Sequence, residues 1–187
     1  NGQEVVESIK AEGGIAYYHH CDVTDESQVL ELMSQAQQKM DGIDVLHNNA
    51  GIHESMVSAE LSLDSMSLET FNKVMDINVT GSWLCAKHAL PYLRKSKYAS
   101  IINAGSTSSL AGYPNCVAYG TSKGAVMQMT KMLAVDLAVD GIRVNCYCPG
   151  SIHTQMVDNF LEAAPDPEAM LNTMTMTHLI PRMGKPK

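Results

Sequence analysis

Apolar residues recur along this chain with two alternating spacings, and the alternation sets the expected architecture. Val5, Val6 and Ile9 share one face of a helix over residues 3–11, which Gly13-Gly14 closes. Ile15 to His20 then reads as a strand that ends at Cys21-Asp22-Val23. Thr24 or Asp25 caps the next helix, in which Val29, Leu32, Met33, Ala36 and Met40 keep helical spacing. Asp41-Gly42 makes a turn, and Ile43 to Leu46 is an apolar run suited to a parallel sheet. Residues 52–66 are polar and irregular. Ser67 caps a long helix carrying Leu68, Phe71, Val74, Met75, Val79, Trp83, Leu84 and Leu90. Asn78, a poor helix former, predicts a local distortion inside it, and Pro91 a kink or an end. Ile101-Ile102 marks another strand, and a loop rich in Ser, Thr, Gly and Pro follows. A helix over 118–139 comes next, with Ala125, Val126, Met129, Leu133 and Leu137 in register, then a strand over 142–148. Helix and strand alternating in this way predict an α/β fold, a doubly wound parallel sheet with helices on both faces.

Length and charge narrow the class. At 187 residues the chain is expected to form a single domain spanning 1–187. Its 45% hydrophobic and 18% charged residues describe a globular protein. A net charge of −7 without a basic run argues against nucleic acid as partner. No stretch reaches the roughly 20 apolar residues of a membrane helix. Five scattered cysteines point away from a disulfide framework and toward a reducing, cytoplasmic setting. The spacing of the histidines suggests no metal site, and Cys146 and Cys148, two apart on one face of a strand, read as small buried residues.

The candidate chemistry lies between residues 99 and 123, where a strand passes through a loop into a helix. Open α/β sheets collect their ligands at such carboxyl ends. Ser106 follows the strand, and Tyr119 and Lys123, four apart, project from one helical face. A Tyr-x-x-x-Lys pair alone is a weak signal, since most such pairs are amphipathic surface groups. A phenol beside a fixed ammonium is nevertheless expected to lose its proton more readily and to act as acid or base. A serine hydroxyl can donate to a carbonyl oxygen without changing charge. Together these groups suit reversible reduction of a carbonyl.

The order of short motifs supplies the context. Asn48-Asn49-Ala50-Gly51, Asn78-Val79-Thr80-Gly81, the Ser106/Tyr119/Lys123 set, Arg143-Val144-Asn145 and Pro149-Gly150 follow one another in sequence. This succession resembles the short-chain dehydrogenase/reductase family over nearly the whole chain. The family commonly places its Ser thirteen positions before the Tyr, which selects Ser106 over Ser108 and Ser109; its usual Ser-Ser is here Gly105-Ser106. The resemblance implies a Rossmann-like fold and a nicotinamide cofactor, NAD or NADP. It implies catalysis by Ser106, Tyr119 and Lys123 with Asn78 in a proton relay. Asp22 and Val23 would meet the adenine, and Asn49, Ala50 and Gly51 the ribose. Pro149, Gly150, Ile152 and Thr154 would meet the nicotinamide. Ser108 and Tyr113, with a lid over 151–180, would line the pocket of a small alcohol or carbonyl substrate. The long helices at 68–95 and 118–139 would pack between subunits of a homo-oligomer, a dimer or tetramer.

No G-x-G-x-x-G turn occurs in the sequence, and the family's phosphate loop precedes the first helix seen here. The first strand with that loop, and the last strand, are therefore expected to lie outside residues 1–187, as in a piece of a longer chain that opens at Asn1 rather than Met. Two other readings remain open from the sequence. One is a non-catalytic relative with a binding or assembly role; the other is an epimerase or dehydratase sharing the Tyr/Lys pair.

Overall fold

Three parallel strands carry the fold, in the order β1 (Val45–Asn48), β2 (Ser100–Ala104) and β3 (Arg143–Tyr147). They are seen in a computed structural model that describes residues 2–162, 164–176 and 178–186; Ala163 and Thr177 of the expected lid fall outside these. Leu46, Ile101 and Val144 lie side by side across the sheet, and two residues further along Asn48, Asn103 and Cys146 do the same. Side chains two apart share a face. The helices α4 (Gly81–Leu93) and α5 (Val117–Asp136) pack against that face, and α2 (Glu26–Met40) packs on α4. Val29, Met33, Leu84, Ala89, Leu93, Ile101, Leu137 and Val144 form one continuous core between them. Asp25 rather than Thr24 caps α2, its carboxylate accepting from the N–H groups of Ser27 and Gln28.

The short helices α1 (Gly2–Ala11) and α3 (Leu68–Met75) complete the part before β2. Ser67 caps α3 as expected, accepting from the N–H of Thr70. The long helix read over 68–90 is broken where Asn78 forecast it. A π-helical turn over Asp76–Thr80 separates α3 from α4, and α4 continues through Pro91 to Leu93.

Boundaries shift in three places. Ile15–His20 is not a strand: Ile15, Tyr17 and Tyr18 are exposed, and among the described residues no neighbour pairs with the segment. A strand exists only through its ladder, whatever its apolar content. The next strand starts at Val45 instead of Ile43 and reaches Asn48, while Ile43 drops into the core. The helix expected to 139 stops at Asp136, and a 3₁₀ turn over Ala138–Asp140 closes on Gly141 at φ 69°, a left-handed conformation that favours glycine. Beyond β3 the chain forms α6 (Gln155–Glu162) and α7 (Pro167–Met176), neither of which contributes a buried residue.

Candidate active site

The carboxyl ends of all three strands open toward one place. β1 runs into Asn49-Ala50-Gly51, β2 into Gly105-Ser106, and β3 into Cys148-Pro149-Gly150. Beyond the last ladder pairs, Gly105 N–H still donates to the Tyr147 carbonyl (2.8 Å) and Thr107 N–H to the Pro149 carbonyl (3.0 Å). These bonds hold the two exit loops together. Ser106 is buried at the start of a 3₁₀ turn, Thr107–Ser109, where its hydroxyl accepts from Ser108 N–H (3.1 Å). Ser109 Oγ closes the turn by accepting from Ser106 N–H and donating to the Lys123 carbonyl (2.9 Å). The serine loop is thereby tied to α5.

Ser106, Tyr119 and Lys123 come together on this frame. The Ser106 hydroxyl lies beside the Tyr119 phenol. The Lys123 ammonium lies 5.6 Å from the Tyr119 ring centre and donates to the Ala104 carbonyl at 2.8 Å. One expectation is corrected here. Burial, the largest influence, pushes the Tyr119 phenol above its ordinary value, against the pull of the neighbouring Ser106 hydroxyl. The Lys123 Nζ is turned to a backbone carbonyl and is itself buried, and burial lowers the Lys123 pKa.

Asn78 and Gly51 form the back wall. The π-helical turn swings the Asn78 amide, 1% exposed, toward the loop after β1. Its Oδ1 accepts from Ile52 N–H (2.8 Å), and its Nδ2 donates to the Ile52 carbonyl (2.9 Å) and to Ser122 Oγ (2.9 Å). Gly51 fits between: a Cβ there would stand 3.1 Å from Asn78 Oδ1 and 3.3 Å from Lys123 Nζ. Wide turns of this kind recur at functional sites, since they present a side chain that a regular helix would bury elsewhere.

The other candidates sit around this centre without joining it. Asn49 is exposed and accepts from the Tyr147 hydroxyl (3.2 Å), whereas Asn48 is buried and bonds Asn103 and the Ser82 carbonyl. Asp22 folds back on Thr24, accepting from its N–H and hydroxyl. Val23 packs against Gly81 at the start of α4. Ala50 is exposed, while Ser108 and Tyr113 are half-buried in the loop before α5. Ile152 bridges to Gly184, Gly150 lies against the His178 ring, and Thr154 is exposed at the entry to α6. Cys146 and Cys148, expected to be buried, are each half-exposed.

Two residues that the sequence reading passed over are built into the site. Glu54, fully buried, accepts from the N–H groups of Ala118 (3.2 Å) and Tyr119 (3.1 Å). It thus caps α5, whose own N-cap, Cys116, offers no side-chain bond. Burial raises the Glu54 pKa against these bonds. His53 lies 5.0 Å from the Tyr119 ring and 5.1 Å from that of Phe160 on α6. Its Nδ1 accepts from Ser55 N–H (3.1 Å), so Nε2 carries the proton and donates to Cys116 Sγ (3.4 Å). Burial lowers the imidazole to about 4 and raises the Cys116 thiol to about 12. Both are therefore neutral at pH 7. The 3.7 Å approach of His53 to Glu54 is no ion pair, and the thiol is no nucleophile. Sequence carried only a faint signal for this cluster, a His-Glu pair just after the Asn-Asn-Ala-Gly turn.

Comparison with known proteins gives this geometry a family. The model of the short chain dehydrogenase family matches residues 1–165. The chain is 37% identical over 166 residues to an L-fucose dehydrogenase of Bos taurus, covering 89% of this chain and 60% of that protein. It is 36% identical over 179 residues to a 2,5-dichloro-2,5-cyclohexadiene-1,4-diol dehydrogenase of Sphingobium indicum, covering 95% and 69%. Among solved structures, NAD+-bound xylitol dehydrogenase superposes with a TM-score of 0.88 at 29% identity, over 98% of this chain and 73% of that one. NADP-bound ElxO superposes at 0.82 with 31% identity, over 98% and 71%. The chain thus spans about 60% of the bovine relative's length. Its sheet order, motif order and strand-end loops are those of a short-chain dehydrogenase, and to that family the chain belongs.

Proposed function

We propose that this chain carries the catalytic part of an NAD(P)-dependent oxidoreductase that interconverts an alcohol and a ketone or aldehyde. The observation that supports it best is the gathering of the Ser106 hydroxyl, the Tyr119 phenol and the buried Lys123 ammonium at the open end of a parallel sheet. The named activities of its relatives, dehydrogenases of sugars and diols, point the same way.

In this reading Tyr119 gives its proton to the substrate oxygen during reduction and takes it back during oxidation. Burial keeps the phenol protonated at neutral pH, which suits the donor role. Ser106 holds the same oxygen by hydrogen bonding. Lys123 spends one donor on Ala104 and directs the rest past Gly51, where the lack of a side chain admits a hydroxylated ligand. Asn78 holds Ile52 in place and would support a proton relay from the Lys123 ammonium to solvent.

These residues fit a nicotinamide dinucleotide, whose bound ring would supply or accept the hydride. Lys123, Asn49, Ala50 and Gly51 would hold its nicotinamide and adenosine sugars. Asp22 and Val23 would hold its adenine, and Pro149, Gly150, Ile152 and Thr154 its carboxamide. Ser108 and Tyr113 would line the substrate pocket under a lid over 151–180. Trp83, Met132 and Val135, exposed on α4 and α5, support assembly into a homo-oligomer. The five cysteines, all free, support a reducing setting, the cytoplasm.

Tyr119→Phe tests the assignment. It should abolish dinucleotide-dependent turnover in the full-length protein while leaving its melting temperature unchanged. Near-normal turnover would refute the role of the phenol.

A further inference from the structure

Cys146 and Cys148 are the motif that the proposed reaction leaves unused. They stand two apart on β3 and its exit, so their side chains leave on one face. Both sulfurs converge on Gly105 of the neighbouring exit loop. A Cβ on Gly105 would stand 2.8 Å from Cys146 Sγ and 2.9 Å from Cys148 Sγ, as well as 3.0 Å from the Tyr147 carbonyl. The backbone conformation of Gly105 does not explain the glycine, since its φ is not in the left-handed region. The sulfurs explain it: the serine common at this place in the family would collide with both.

The pair has further properties of a built site. The Cys146 thiol lies beside Cys148 and Thr130. Both cysteines are half-exposed and free, hence reachable from solvent. The Lys123 ammonium lies near both sulfurs, while burial, and after it the neighbouring Cys148, raises the Cys146 pKa. Among the described residues no third metal-type ligand joins them. Two soft donors without a third suit an electrophile that needs only two sulfurs.

We propose that Cys146 and Cys148 form a chelating dithiol for soft electrophiles that bridge two thiolates, with trivalent arsenicals as the ligand class. With an aryl arsenoxide, each sulfur forms one As–S bond and the As–O bond breaks. The two thiol protons leave with that oxygen as water, and no electrons change hands. Gly105 leads directly into Ser106, so an adduct wedged against it presses on the serine loop.

The test uses phenylarsine oxide on the intact chain, read by native intact mass. One phenylarsenic group per chain is expected, removable by excess 1,2-ethanedithiol. It should be lost in Cys146→Ser and in Cys148→Ser, and kept in Cys21→Ser. Cys21 is the informative control because it interacts with Cys85 and so makes a rival pair. Cys146→Ala and Cys148→Ala, with melting curves on every variant, separate loss of the ligand from loss of the fold. No adduct on the unmodified chain overturns the proposal, as does an adduct that survives removal of either Cys146 or Cys148.

Discussion

The wall behind Tyr119 and the segment after β3 are built on opposite principles. In the wall, Asn78, Ser122, Lys123 and Glu54 are polar and nearly inaccessible, and each is hydrogen-bonded. Among the described residues no buried side-chain polar atom lacks a partner. In the segment 151–186, α6 and α7 bury nothing fully, and Met176, Leu179 and Ile180 are exposed. Among the described residues that segment is held by bonds such as His153 N–H to the Gly184 carbonyl (2.9 Å), Gly184 N–H to the Ser151 carbonyl (2.9 Å) and Ser151 N–H to His178 Nε2 (3.2 Å), and by the packing of α6, through Phe160, on His53. A fully satisfied buried network is rigid, because every displacement breaks a bond that water cannot replace. A segment with few buried contacts opens at little cost. Groups that must meet a reacting atom are held in the first way, and a surface that selects or releases a ligand needs the second.

Removing one wall residue should do more damage than any change in the outer segment. Asn78→Leu leaves the Ile52 N–H and carbonyl without their partners and should cost about 4 kcal/mol, since each buried unsatisfied group costs about 1–3 kcal/mol. Thermal melting measures this; a loss below that of a surface substitution would break the contrast.

Next in size is the pH dependence set by His53. Its pKa falls from 6.5 to about 4 on burial. At about 1.4 kcal/mol per unit this is at most about 3 kcal/mol of stability. That contribution is present above pH 6.5 and is lost as pH falls toward 4, because only the unfolded chain takes up the proton. Glu54 acts with the opposite sign: its raised pKa makes ionisation unfavourable in the fold, so its contribution falls as pH rises through that value. Denaturant unfolding of His53→Gln should show a flatter profile between pH 4 and 6.5, and of Glu54→Gln a steeper acid loss. An unchanged slope in His53→Gln would remove the imidazole from the account.

Smaller effects are expected further out. Phe160→Ala removes the ring that α6 lays on His53 and should cost about 1 kcal/mol, with faster backbone hydrogen exchange confined to 155–176. Leu179→Ser, at a fully exposed position, should stay within about 0.5 kcal/mol. A large loss from Leu179→Ser would show that the outer segment is held more firmly than its contacts suggest.

Local chemistry determined much of this protein. Apolar spacing in residues 26–40 and 117–136, the caps at Asp25 and Ser67, and the disruptive Asn78 act within a turn or two of the backbone, so the sequence displayed them directly. That Ser106, Tyr119 and Lys123 would gather at one strand end was legible because one strand–loop–helix unit carries all three and the order of motifs along the chain singles them out. The tertiary structure decided what depends on distant neighbours. Ile15–His20 has strand composition and no strand to pair with. Glu54 reaches across to the first turn of α5, and the Tyr119 phenol is pushed up by burial where a neighbouring ammonium had been expected to bring it down. Two thiols and the missing side chain of Gly105 occupy one space from separate strands. Hydrogen bonds within a turn are written in adjacent residues; desolvation and packing depend on which surfaces meet, and only the folded chain brings those surfaces together.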